Sequence, residues 1–207
     1  MGGKSLKHGV GINDADYAVS NRINGEQVCC KFYKVWSAML ERSYSKSKIL
    51  KFPTYIGCSV CEEWLTFSNF KAWMEVQDYD GKELDKDLLV QGNKVYSPDT
   101  CIFIPKRVNT LLINCGKVKG ACPTGVYFNK RVLKFHAQIN NRDKPTRTHL
   151  GFFNTAEEAH AAWQAAKRGI IMDVAMEQSD ERLRNALLLR CVQLQHDIDN
   201  GLETIKL

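Results

Sequence analysis

The chain has 207 residues, 44% hydrophobic and 25% charged, enough apolar material for one or two domains with real cores and too much for a disordered tail. No stretch reaches the ~18 to 20 consecutive apolar residues of a membrane span, and the start, MGGKSLKHG, lacks the apolar run of a secretory signal, so secretion and membrane insertion are not expected. The net charge of +6 is concentrated: Lys117, Lys119, Lys130, Arg131, Lys134, Arg142, Lys144 and Arg147 face Asp143 alone between 114 and 151, leaving about −1 for the rest. Such a segment in an otherwise balanced chain is the footprint of a polyanion-binding surface, most often for nucleic acid; a solvated basic face without a partner is the alternative.

Eight cysteines, at 29, 30, 58, 61, 101, 115, 122 and 191, read as reduced thiols in a chain without a signal. Cys58-x-x-Cys61 has the form of half a zinc site, but Cys115 and Cys122 do not make a second tight pair, so the spacing argues against structural zinc.

In chain order, residues 1–28 are rich in Gly, Asn and Lys without periodicity and are expected to form an irregular lead. From 30 to 44, Phe32, Tyr33, Trp36, Met39 and Leu40 recur at helical spacing. Pro53 and Gly57 break the next stretch, and Trp64, Leu65, Phe67, Phe70, Trp73 and Met74 mark a second helix over 62–74, with Ser68 as an internal cap. LDKDLLV then reads as a strand, GNKVYSPD as a loop, CIFIP as a second strand and KRVNTLL as the start of a helix. The Gly- and Pro-containing stretch 113–123 marks a domain boundary. Beyond it, 125–128, 134–140 and 146–153 alternate as three short strands of an antiparallel meander. Thr155-x-x-Glu158 is a capping box opening a helix with Ala159, Ala162, Trp163 and Ala166 on one face. A last amphipathic helix carries Leu183, Leu187, Leu194 and Ile198. The expected class is α+β, with a ββα unit in 29–113, a three-stranded antiparallel sheet packed on a helix in 122–172, and a C-terminal helix over 176–200.

Period two along 134–140 puts Phe135, Ala137 and Ile139 toward the helix and Lys134, His136, Gln138 and Asn140 on the opposite face. Tyr127, Asn129, Lys130, Arg131, Arg147 and His149 extend that polar row across the sheet and its turn. Arg and Lys meet phosphates and guanine edges, and Asn and Gln pair with adenine, so the row is a candidate duplex-DNA surface. At this point the residues resemble the AP2 DNA-binding domain, through Gly125-Val126, Phe135-x-Ala137-x-Ile139, Leu150-Gly151-x-Phe153-x-Thr155-x-Glu157-Glu158-Ala159 and Ala162-Trp163, over about 122 to 170. The resemblance implies a three-stranded sheet that reads DNA in the major groove. Tyr127 stands where an Arg is usual and Phe135 where a Trp is, so the base sequence read does not carry over.

The upstream unit is similar to the ββα-metal finger of HNH endonucleases of the phage type, through Trp36, Met39, Arg42, Trp64 and Phe70, then Leu84-Asp85-Lys86-Asp87, Asn93, Tyr96-Ser97-Pro98, Cys101 and Asn109. The family implies one divalent cation, Mg²⁺ or Mn²⁺, at the scissile phosphate, a general base at the end of the first strand, and a loop residue that orients it. By position, Asp85 and Asn109 hold the cation, Lys86 stands in the base position and Asn93 in the orienting one. A lysine near pKa 10.4 is protonated at neutral pH unless its surroundings lower it by about three units, and Asp85 and Asp87 favour its charged form. Three readings follow: Lys86 contacts phosphate while another base serves, the finger binds DNA without cutting, or the hairpin is purely structural. The two modules together resemble free-standing homing-type endonucleases of phages and mobile elements, which implies a bacterial or phage-infected host cytoplasm and double-stranded DNA as partner. A non-cleaving regulatory DNA-binding protein is the second reading, and a homodimer through the final helix a third.

Overall fold

The computed structural model describes residues 6–112, 122–140 and 147–207 of an α+β protein. Lys117, Lys119, Arg142 and Lys144, and residues 113–121 of the expected boundary, lie outside the described residues. The chain divides into two units, Met1–Lys106 and Arg107–Leu207. Among the described residues no helix is long and apolar enough to cross a membrane.

The lead is not irregular throughout. β1 (Ser20–Ile23) and β2 (Glu26–Cys29) form an antiparallel hairpin closed by Asn24 and Gly25, both at positive φ (53° and 83°). Two central residues with φ > 0 make the turn whose twist matches paired strands, and Asn-Gly is the pair that adopts it at least cost. Upstream, the Ile12 carbonyl accepts from Phe67 N–H and Ile12 N–H donates to Leu65, so the lead is stitched onto the helical part of the unit.

Helix α1 (Lys31–Tyr44), followed by the short α2 (Lys46–Lys51), buries Trp36, Met39 and Leu40 against Trp64, Phe67, Phe70, Met74 and Phe103. Each such side chain contributes roughly 1.5–3 kcal/mol by leaving water. The expected 62–74 helix is split into a 3-10 turn (Glu62–Leu65) and α3 (Phe67–Glu75). Ser68 is not its cap: Ser68 N–H and Oγ donate to the Asp14 carboxylate at 2.9 and 2.5 Å, so an acid far away in sequence supplies the negative charge at the first turn.

β3 (Ser59–Val60) pairs in parallel with β5 (Val95–Tyr96), and β4 (Lys82–Asp85) pairs antiparallel with β6 (Ile102–Pro105). β4 stops at Asp85 instead of running through LDKDLLV, because Asp85 Oδ1 accepts from Asp87 N–H at 3.0 Å and Leu88 N–H at 2.7 Å, an Asx turn that bends the backbone out of the ladder. From Pro105 the chain enters α4 (Lys106–Leu112) directly.

In the second unit β7 (Val126–Asn129), β8 (Lys134–Ile139) and β9 (Thr148–Phe153) form the expected antiparallel meander, with β8 central. Both halves of the Thr155/Glu158 capping box are made at the start of α5 (Ala156–Met176), which packs on the sheet through Ala159 and Trp163. α6 (Glu181–Asp199) lies along α5, burying Leu183, Leu187 and Leu194, while Leu189 and Val192 on the same helix are exposed. Residues beyond α6 return to α5. His160 Nε2 accepts from Thr204 N–H while Nδ1 donates to the Thr124 carbonyl, Gln164 donates to Leu202 O and Thr204 Oγ1, and Thr204 Oγ1 donates to Asp197.

Gly125 takes φ +82°, and a Cβ there would stand 2.1 Å from the Trp163 ring. Gly125→Ala is expected to destabilise the second unit by roughly 2–4 kcal/mol, combining overpacking with a disfavoured backbone. Urea unfolding followed by circular dichroism measures this; an unchanged midpoint would show that Trp163 yields freely.

Candidate metal finger and nucleic-acid interface

At the finger, a three-way hold is set by Asn93. Its Nδ2 donates to the Lys86 carbonyl at 2.6 Å and the Val95 carbonyl at 2.7 Å, while its Oδ1 accepts from Val95 N–H at 3.1 Å. The loop between β4 and β5 is therefore closed by one carboxamide, and the backbone at residue 86 is fixed by the residue expected to orient it.

The Lys86 side chain does not reach outward. It is 6% exposed, donates from Nζ to the Asn93 carbonyl at 3.1 Å, lies 3.5 Å from the Asp87 carboxylate and 5.8 Å above the Tyr96 ring. An ammonium so engaged has no lone pair facing a substrate and cannot touch phosphate without leaving its site. Burial holds the Tyr96 hydroxyl above its ordinary value, and pushes the nearby Cys101 thiol up to about 12.

Asp85 differs. One oxygen is committed to the two backbone N–H groups of its turn, and Oδ2 makes no hydrogen bond among the described residues. Burial, then the like charge of Asp87, raise its carboxyl above the ordinary 3.8, against the pull of its turn N–H groups and of Lys86. A half-buried carboxylate whose ionisation is disfavoured and whose second oxygen is open suits a hard cation. Among the described residues no three His, Cys, Asp or Glu side chains are grouped as a metal cage. A cation here would thus rely on few protein oxygens, with phosphate and water completing its shell, as Mg²⁺ commonly does. Asn109 stands on the part of α4 that belongs to the second unit, where Arg107 pairs with Glu177 at 3.0 Å and Lys167 donates to the Leu111 carbonyl.

On the sheet, Tyr127, His136 and Phe152 are direct cross-strand neighbours on the face away from α5. The expected polar row is present, but its centre is aromatic. His136 is only 9% exposed, packed edge-on to Tyr127 (4.6 Å, 84°) and stacked on Phe152 (4.9 Å, 29°), with its Nε2 hydrogen-bonded to His149 Nδ1. Burial, then the facing His149, hold its ring below the ordinary 6.5, so it is neutral at neutral pH. Sequence reasoning missed Phe152 because a β-bulge between Ala137 and Gln138 lets β9 carry an extra residue, which brings His149 and Phe152, three apart, onto one face. Asn129 is spent locally, its Oδ1 accepting from Arg131 N–H and Val132 N–H. Lys130, Arg131, Lys134, Asn140 and Arg147 are exposed, and Gln138 is half-buried.

No family model, no curated protein and no solved structure matches this chain.

Asp85→Asn keeps the acceptor of the turn and removes the charge. Because the folded carboxyl holds its proton more tightly than the unfolded one at 3.8, its ionisation weighs against folding at neutral pH, and that burden fades as the pH falls toward 3.8. In EDTA at neutral pH, Asp85→Asn is expected to unfold at higher urea than the parent, the gap closing in acid. A lower midpoint for the variant at neutral pH would mean that the charge supports the fold.

Proposed function

We propose that this is a DNA-binding protein whose sheet contacts the nucleic acid and whose finger, at Asp85, assists metal-dependent hydrolysis of a phosphodiester. The observation that carries the binding half is the sheet's outer face: Lys134, Arg147 and the turn cations Lys130 and Arg131 are exposed, and no Asp or Glu occurs in β7, β8 or β9. Exposed cations on and beside strands that carry no carboxylate attract phosphate and release its counterions. The hydrolytic half is supported by the open oxygen of Asp85 and by the HNH-like order of Asp85, Asn93 and Asn109. A divalent cation there would stabilise the charge developing on the phosphate and leaving oxygen. Asp85 would supply an anchoring oxygen, and Asn93 keeps the loop in register.

Lys86 favours a second reading. Its burial removes the general base from the position where the resemblance puts one, leaving water to be activated by other means or cleavage lost. The protein would then be a non-cleaving regulatory DNA binder.

Incubation of supercoiled and linear DNA with the protein in Mg²⁺, Mn²⁺ or EDTA separates the two. Metal-dependent nicking, lost in an Asp85→Asn, Asn109→Ala double variant, is the expected result; DNA retarded on a gel but never cut would establish the second reading. Independently, Lys134→Ala with Arg147→Ala is expected to weaken duplex binding and flatten its salt dependence by about two units of log–log slope. Unchanged affinity would move binding off the sheet.

A further inference from the structure

The aromatic centre of the sheet face is unusual for a surface that meets only base edges. Tyr127 on β7 and Phe152 on β9 are 41% and 43% exposed, and His136 on β8 lies between them. The outer strands are two strand spacings apart, about 10 Å, which leaves room for a planar ring over each aromatic. His136 packs against both: its ring is stacked on Phe152 and edge-on to Tyr127, and His149 lies 5.0 Å from the Phe152 ring, so neighbours on the same face hold the two exposed rings in place.

In a duplex, base faces are covered by neighbouring bases and only edges reach the grooves. Phe152 has no donor or acceptor with which to read an edge, and Tyr127 has a single hydroxyl. Both rings are partly exposed, and π surface gains most when a base is unstacked and laid against it. The rim supplies the matching charge: Lys134 stands at the start of β8, Arg147 adjoins β9, and both are exposed. An apolar protein partner would meet this basic rim with no carboxylate on the strands to balance it.

Resting on the DNA-binding reading above, we propose that this face takes single-stranded DNA, stacking unpaired bases on Tyr127 and Phe152 while Lys134 and Arg147 hold the adjoining phosphates. The preferred substrate is then DNA with an unpaired stretch, and fully paired duplex is the weaker ligand. Tyr127 and Phe152 set that preference, and the cations set overall affinity.

The test is fluorescence anisotropy of the full chain in EDTA with a labelled mixed-sequence strand and, in parallel, with the duplex made from it at the same salt. The strand is expected to bind more tightly. Tyr127→Ala and Phe152→Ala should each weaken strand binding about ten-fold, with duplex binding changed by less than about two-fold, while Tyr127→Phe and Phe152→Tyr keep the strand affinity. Because both rings are exposed, circular dichroism of each variant should match the parent, and the aromatic exchanges report on stacking even if an alanine variant is perturbed. Duplex bound as tightly as the strand, or alanine variants that weaken both equally, would overturn stacking and leave DNA binding standing. Binding to neither would overturn both.

Discussion

A buried indole must give its one proton to an acceptor, and in the first unit Trp36 gives it to the Trp64 carbonyl at 2.7 Å. That bond joins α1 to the 3-10 turn before α3 at the centre of the aromatic core, where Tyr33, Trp36 and Phe67 lie within 5.5 Å of one another by ring centroids. With α1 and α3 fixed, Val60 and Tyr96 can meet in the short parallel pair, and Phe103 on β6 stacks on Trp73. The finger loop thus hangs from a rigid aromatic block. This is the support a site needs if its geometry is to be set before a ligand arrives.

Within the finger, two neighbouring charged residues are treated in opposite ways. Lys86 is buried and satisfied by a carbonyl, a carboxylate and a ring face, whereas Asp85 is desolvated with one oxygen left open. A cation buried with partners supports the loop, and an anion buried without a full set of partners is a cost retained by the fold. The discomfort of the loop is thereby placed on the one group suited to taking a metal.

Much of this was legible in the sequence because it follows from periodicity. The α1 face, the second strand of the finger, the meander and the Thr155/Glu158 capping box all appear where spacing put them. What escaped depends on single side chains acting across the chain or on one extra residue. Asn24-Gly25 was a readable turn signal, but the strands beside it have only four residues each and no clear alternation. The cap that Asp14 gives to α3 spans 54 positions, beyond any local pattern. The bulge at Ala137/Gln138 resets parity along β9, so period two assigned His149 to the outer face and overlooked Phe152. At the finger, the identities of Asp85, Lys86 and Asn93 could be read, but not the burial of one and the open oxygen of another.

The return of residues 201–207 onto α5 bears on how the second unit comes into being. Gln164, His160 and Asp197 are buried polar groups whose partners include Thr204, about forty residues downstream of the first two. During synthesis the sheet and α5 emerge first, and until Thr204 follows those groups must stay in water or leave their bonds unmade. The aromatic core of the first unit is built from residues between Val10 and Phe103, all of which emerge before the second unit is made. Synthesis thus presents the core of the first unit before the buried groups of α5 can complete their bonds.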